Sequence, residues 1–246
     1  MSLAWVTGAS SGIGRALAVR LAGDGWTVIA SARSSEGLNA LATEVPGIVP
    51  WPLDVTDHAA VAAAVAGIEA AHGPLDLAVL NAGTHIPMGA ADFSAATVRR
   101  LLEVNTLGAV NGLDALLPRM RERRAGQIAV VASVAGYRGL PYAAAYAASK
   151  AAVIALCESL RPDLERDGVI LQVINPGFVD TPLTERNDFP MPDIITAQDA
   201  AAAIVRGLSG TRFEIAFPRR FAFGMKVLRS LPYGVFFAIT KRMLRP

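Results

Sequence analysis

The chain has 246 residues, enough for one well-filled α/β core and few for two independent domains. Apolar residues make up 52% and charged residues 18%, with a formal net charge of +2, a balance that argues against a nucleic-acid partner and favours a small-molecule site. Cys157 is the single cysteine and His58, His72 and His85 lack metal-ligand spacing, so neither a disulfide framework nor a metal is expected.

In chain order, residues 3–6 read as a short apolar strand that starts almost at the N-terminus, leaving no room for a cleaved signal peptide, so a cytoplasmic protein is expected. Helical spacing over 15–23 is followed by a strand at 27–31, a helix at 38–44, a strand at 49–52, a helix at 59–71 and a strand at 77–80. A long helix is expected over 97–119, then a strand at 127–132, a helix at 146–166 and a strand at 170–174, with a last apolar stretch at 213–217. The alanine clusters at 59–66, 143–148 and 200–203 carry Val, Leu and Ile at helical spacing and read as closely packed helices. Strands and helices alternate, and the strands are continuously apolar, as they are where helices cover both faces of a sheet. The fold expected is therefore α/β, a doubly wound parallel sheet of about seven strands in a single domain spanning 1–246.

Directly after the first strand stands Thr7-Gly8-Ala9-Ser10-Ser11-Gly12-Ile13-Gly14-Arg15. Glycines here allow a sharp turn into a helix and let backbone N–H groups approach a pyrophosphate at the positive helix end, with Gly8, Ser10, Ser11, Gly12, Ile13 and Gly14 forming the cradle. The Thr-Gly-x-x-x-Gly-x-Gly spacing resembles the loop of the short-chain dehydrogenase/reductase family, a Rossmann-type group, and differs from the general Gly-x-Gly-x-x-Gly fingerprint. Arg15 is equally consistent with a helping charge and with a plain helix-face residue.

The resemblance extends along the chain. At the end of the second strand stands Ser31-Ala32-Arg33-Ser34, where the resemblance puts Ala32 on the position of the acidic residue that binds ribose hydroxyls in NAD enzymes. Arg33 follows, able to grip a 2′-phosphate bidentately, so NADP(H) is favoured over NAD(H), which stays possible. By the same resemblance Asp54 and Val55 hold the adenine, and Asn81-Ala82-Gly83 supports the sheet and lines the adenosine ribose side.

Reduction of a carbonyl needs a positioned acid besides the hydride. Tyr146 and Lys150, four apart on a helix, share a face, and the ammonium and the positively charged oxidised nicotinamide are together expected to draw the phenol pKa down from about 10. Ser133 follows the fifth strand, thirteen residues before Tyr146, where its hydroxyl can hold the substrate oxygen. Asn105 matches the family asparagine that kinks the long helix and holds a water linked to the lysine. Asn105, Ser133, Tyr146 and Lys150 thus stand in the order and spacing of the family tetrad. Pro176-Gly177-Phe178-Val179-Asp180-Thr181-Pro182 resembles the segment under the nicotinamide, with the backbone near Val179 and the Thr181 hydroxyl as ligands, and the resemblance implies pro-S hydride delivery.

Residues 183–197, with Phe189, Pro190, Met191 and Pro192, occupy the place of the variable substrate lid; short and largely apolar, they suit a hydrophobic carbonyl or alcohol. Ala135, Tyr137, Leu140, Tyr142, His85 and Ile86 are further pocket candidates, His85 as a loop residue without a catalytic task. The pattern departs after 213–217. Residues 218–246 form an apolar, basic extension with seven Lys/Arg and no acids, too interrupted by Pro232 and by charge to span a bilayer. Packing over the substrate mouth or a dimer partner is the leading expectation, with peripheral membrane contact as the second; a homodimer or homotetramer is expected, the tetramer being in doubt because the usual glycine-rich tail is replaced. Two rivals carry distinguishing marks. An epimerase of the extended type needs a Gly-x-x-Gly-x-x-Gly loop and a larger C-terminal domain, and a non-catalytic NADP-binding regulator or scaffold would have lost the tyrosine or the lysine.

Overall fold

The protein is described by a computed structural model over residues 2–186 and 191–244. Seven strands form one parallel sheet: β1 (Leu3–Thr7), β2 (Thr27–Ser31), β3 (Ile48–Pro50), β4 (Leu77–Leu80), β5 (Gln127–Val131), β6 (Ile170–Pro176) and β7 (Glu214–Phe217). Their order is β3-β2-β1-β4-β5-β6-β7, so the direction of winding reverses between β1 and β4, and ligand crevices of such sheets open beyond the strand ends at that reversal. Register brings Thr7 beside Ser31 and Val6 beside Val79, which sets the glycine loop between the ends of β2 and β4.

Helices cover both faces. Alternation along β1 sends Trp5 to one face and Ala4 and Val6 to the other, and all three are fully buried. On the Trp5 face lie α3 (His58–His72), α5 (Gly108–Glu122) and α6 (Ala144–Arg166), packing Val61, Val65, Leu113, Leu116 and Val153. On the other lie α1 (Gly12–Gly23), α2 (Ser35–Glu44) and α7 (Ala197–Leu208), packing Leu17, Leu21, Leu38, Leu41 and Ile204. Each such buried aliphatic side chain contributes on the order of 1.5–3 kcal/mol of burial. Ser34, Asp57, Ser94 and Thr196 each accept a backbone N–H in the first turn of α2, α3, α4 (Ala95–Leu102) and α7, so these helices begin at capping residues.

Two features depart from the sequence-based expectation. The helix expected over 97–119 is two helices, α4 and α5, joined by a π turn at Glu103–Leu107; the apolar residues on each side keep helical spacing of their own, so periodicity does not register one widened turn between them. The C-terminal extension folds as a hairpin of α8 (Arg219–Ser230) and α9 (Tyr233–Thr240), ending in a 3₁₀ turn at Lys241–Met243.

Candidate active site

The glycine loop is shaped by contacts that tolerate no side chain. Gly8 has φ of 68°, a conformation that favours glycine, and a Cβ there would come within 2.9 Å of the Ala82 Cα. A Cβ on Gly14 would run into the Gly8 carbonyl oxygen and stand 2.5 Å from Asn81 Nδ2. The Thr7 hydroxyl accepts the N–H groups of Asn81 at 2.9 Å and Ala82 at 3.0 Å, while Asn81 Nδ2 donates to the Thr7 carbonyl at 2.9 Å. Asn81 therefore braces the end of β4 against β1. The neighbouring Gly83 is exposed and lies in front of Asn105 and Lys150.

At the N-terminus of α1, Ser11 is extended and makes no side-chain cap bond, in contrast to the capped starts of α2, α3, α4 and α7. The first-turn N–H groups, from Gly12, Ile13 and Gly14, are thus left for an anion. Ser10 lies beside Gly37 of α2, and Thr181 lies against Gly12, its methyl 3.1 Å from where a Cβ would be. A cradle closed to Cβ atoms, with an uncapped helix end as donor, fits the pyrophosphate of a dinucleotide.

Toward the adenosine end, Ala32 is half-buried and Arg33 exposed. Asp54 accepts the Thr56 N–H at 3.0 Å and the Thr56 hydroxyl at 2.8 Å. The backbone bond above all, helped by the Thr56 hydroxyl and by the charges of Arg33 and Arg100, holds its carboxyl below the usual carboxylate range despite partial burial. Arg33 and Asp54 therefore share one corner. Val55 is fixed by its carbonyl, which accepts from Asn111 Nδ2 at 2.9 Å, and by packing over Gly108. Arg15 pairs with Glu44 on α2, which commits it to a helix-helix contact on the surface.

The four tetrad positions converge beyond the ends of β4 and β5. Ser133 is buried, its hydroxyl accepts the Ala135 N–H at 3.1 Å, and it is hydrogen-bonded with the Tyr146 phenol. Lys150 is buried one turn further along α6, with Nζ 5.9 Å from the Tyr146 ring centre and donating to the Val131 carbonyl at 2.8 Å. Asn105, in the π turn, donates to the Ser149 hydroxyl and the Thr84 carbonyl, each at 2.9 Å, and its own oxygen accepts the Thr84 N–H at 2.7 Å. Thr106 donates to the Ser149 carbonyl at 3.0 Å. Asn105 and Thr106 thus clamp α6 at the residue between Tyr146 and Lys150.

Before any cofactor charge is added, the side chains alone set the electrostatics here. The Tyr146 phenol is raised above its ordinary pKa of 10.0, because desolvation outweighs the Ser133 hydrogen bond. Burial likewise lowers Lys150 to about 8. Around the tyrosine, His85 packs edge-on with ring centres 4.7 Å apart, and Met88, Leu101 and Ala145 form a small buried cluster against which Val98 and Tyr146 pack.

Strand β6 ends at buried Pro176, whose carbonyl accepts the Ser133 hydroxyl at 3.4 Å, and the segment after it begins with Gly177, whose N–H donates to the Phe217 carbonyl at 2.7 Å. Val179 is buried, and its carbonyl accepts the hydroxyls of Thr181 at 3.3 Å and Thr184 at 2.6 Å. The expected lid is described at 183–186 and 191–197, where Ile195 exchanges backbone bonds with Phe178 and Asp180; Phe189 and Pro190 lie outside the described residues. Among the other pocket candidates, Leu140 is half-buried, Ile86 is exposed, and Tyr142 adopts φ of 61° while its carbonyl accepts the Met88 N–H at 2.9 Å.

Tyr137 does not serve the cleft as its position suggested. Its hydroxyl is hydrogen-bonded to Glu214 of β7, and burial, with that carboxylate beside it, pushes the phenol well up. Glu214 also accepts from Asn175 Nδ2 at 2.8 Å and pairs with Lys226 of α8. Burial pushes its carboxyl up, and the bonds from Lys226, Tyr137 and Asn175 outweigh this and hold it low. Arg138 donates to the carbonyls of Leu228 at 3.3 Å, Arg229 at 2.7 Å and Leu231 at 2.6 Å, and its guanidinium stands 4.7 Å from the Tyr233 ring centre and 4.1 Å from that of Phe236. Phe221 packs on Gly177 and lies 5.3 Å from Phe178, ring centre to ring centre. The hairpin is thereby fastened to the loop between Ser133 and Tyr146 and to the segment after β6. Arg138, Glu214, Thr84 and Ser149 give no local signal in the sequence that would mark these tasks.

A family model described as short chain dehydrogenase matches residues 2–190. An uncharacterized oxidoreductase of Myxococcus xanthus is 40% identical over 244 residues, covering 98% of this chain and 96% of its own length. A short-chain dehydrogenase from Streptomyces avermitilis superposes with a TM-score of 0.83 at 28% identity, over 98% of this chain and 95% of that one. An alcohol dehydrogenase from Thermococcus sibiricus, solved with 5-hydroxy-NADP, gives a TM-score of 0.80 at 27% identity over 88% and 96% of the two chains. With its doubly wound sheet and its glycine loop at the winding reversal, the chain belongs to the short-chain dehydrogenase/reductase family, a group of oxidoreductases that bind a nicotinamide cofactor and act on alcohol or carbonyl groups.

Proposed function

We propose that the chain transfers a hydride between NADP(H) and a carbonyl or secondary alcohol of an apolar substrate, with Tyr146 as the acid and base. The observation that carries this reading is the meeting of Ser133, Tyr146 and Lys150 in one buried group, clamped from behind by Asn105. A bound nicotinamide supplies or accepts the hydride.

The rest falls to the chain. The Ser133 hydroxyl holds the substrate oxygen and stabilises charge developing there. Tyr146 donates its phenolic proton to that oxygen during reduction and takes one back as phenolate during oxidation. The desolvated phenol keeps its proton too firmly by itself. The Lys150 ammonium, on the same helix face, favours the phenolate and eases the transfer. Asn105 and Thr106 hold α6 so that Tyr146 and Lys150 keep their spacing.

Preference for NADP(H) is supported by Ala32 in place of an acid and by Arg33, which faces the corner that holds Asp54. An apolar substrate is supported by the short, largely apolar sequence at 183–197, in the place of the substrate lid. Purified protein is assayed with NADPH and NADH against ketones, aldehydes and secondary alcohols, the parent beside Tyr146→Phe and Arg33→Ala. NADPH turnover lost in Tyr146→Phe, by about 10²–10⁴-fold, is the expected result. Turnover retained in that variant overturns the acid assignment, and parent activity restricted to NADH overturns the cofactor.

A further inference from the structure

The C-terminal hairpin has an inner and an outer face of different character. Inward, α8 buries Ala222 and Met225, and α9 buries Phe236 and Thr240, each pair at helical spacing. Outward, α8 presents Phe223, 70% exposed, and Val227 on one stripe, with Arg219 and Arg220 one turn before Phe223. On α9, Tyr233, Val235, Phe237 and Ile239 are also exposed. Eight of the twelve large apolar side chains exposed among the described residues therefore fall between 223 and 244. Such a concentration marks an interaction surface.

Charge selects the occupant. Residues 218–246 hold seven Lys/Arg and no Asp or Glu. Lys226 is taken up by Glu214, which leaves Arg219, Arg220, Arg229, Lys241 and Arg242 exposed within the described residues. A second copy of the chain docking by two-fold symmetry would set this cationic patch against itself, a like-charge contact with no acid in the segment to relieve it. A surface that is apolar at depth and anionic at its face meets both requirements. No described helix is long and apolar enough to cross a membrane, which leaves attachment from one side.

We propose that the α8–α9 hairpin docks on the surface of an anionic lipid bilayer, with Phe223, Val227 and the exposed α9 side chains entering the interface and the arginines and lysine meeting lipid headgroups. The docked face stands beside the loop between Ser133 and Tyr146, since Leu140 and Pro141 line a cavity of about 290 Å³ together with Phe236, Phe237 and Leu244. Docking does not depend on the catalytic reading.

The full-length protein is sedimented with phosphatidylcholine vesicles, with and without phosphatidylserine, at low and high salt, while light scattering follows its oligomeric state. Partition onto the anionic vesicles should exceed that onto neutral ones by about tenfold or more and weaken with salt. F223S/V227S and R219E/R220E, substitutions on exposed positions, should each reduce it by about tenfold, with the thermal transition unchanged. Equal partition onto both vesicles, or binding that ignores both variants, overturns the proposal. So does a dimer that F223S/V227S dissociates while the parent leaves vesicles in solution.

Discussion

Replacing Arg138 by methionine keeps the apolar stem and removes the guanidinium that ties the hairpin to the loop before Tyr146. Two of its hydrogen bonds, at 2.7 and 2.6 Å, have good geometry, whereas the 3.3 Å contact with the Leu228 carbonyl adds little. Each good bond contributes about 1 kcal/mol net of water, and each aromatic contact about 0.5 kcal/mol at this partial exposure. The loss is about 3 kcal/mol, which corresponds to an opening equilibrium raised about 150-fold. Because Ala222, Met225 and Phe236 still bury apolar area, the hairpin stays docked most of the time and opens more often. Amide hydrogen exchange over residues 219–240 reads this directly, with α6 as the internal reference. Protection of the hairpin should fall by about 10²-fold while that of α6 holds. Hairpin protection equal to the parent's would refute the reasoning, and Arg138→Lys, which keeps the charge without the fork, should resemble the methionine variant.

Gly14→Ala places a methyl against the Gly8 carbonyl and Asn81 Nδ2, so the loop must move; a loss of about 1–3 kcal/mol in dinucleotide binding is expected, read by calorimetric titration. Asn105→Ala leaves the half-buried Thr84 N–H and carbonyl and the buried Ser149 hydroxyl without this partner, and the thermal transition should drop by roughly 6–12 °C, the yield of about 3 kcal/mol in a chain of this size. Lys150 titrates at about 8 in the folded chain against 10.5 when free, so the unfolded state binds more protons between these values and the cost of burying the ammonium fades as pH rises through that window. Denaturant unfolding should accordingly show the stability advantage of Lys150→Met over the parent shrinking from pH 8 upward, and an advantage that grew instead would contradict the burial.

Much of the fold was legible because its causes are local. Strands covered on both faces are apolar throughout, as at 77–80, and a glycine such as Gly14 stands where no Cβ fits. That Ser133, Tyr146 and Lys150 come together was legible through spacing on one helix and through one strand end. The task of Arg138 was not, since its partners lie about ninety residues further along the chain, and neither was that of Glu214, which joins Tyr137 across 77 residues. Tyr137 illustrates the limit: its place between Ser133 and Tyr146 suggests the cleft, while a carboxylate on β7 draws its hydroxyl elsewhere. In the hairpin, phenylalanines occur on both faces, so hydrophobicity alone could not tell Phe236, buried, from Phe237, exposed.

The π turn at Glu103–Leu107 has a consequence for how length changes are tolerated. A π turn takes one residue more than an α turn, so the residues before it are rotated by about 100° relative to an uninterrupted helix. That phase difference lets α4 turn Leu101 toward the cluster around Tyr146 while α5 turns Leu113 and Leu116 toward α3 and the sheet. Deleting a single residue within 103–107 would regularise the rod with α4 and α5 still facing as they do, since five residues of π turn and four of α turn rotate the chain by about the same angle; what it removes is the widened turn that carries Asn105. The turn thus absorbs one residue between two helices whose faces are held by packing, and its length matters for where it sets Asn105 rather than for the phase of α4.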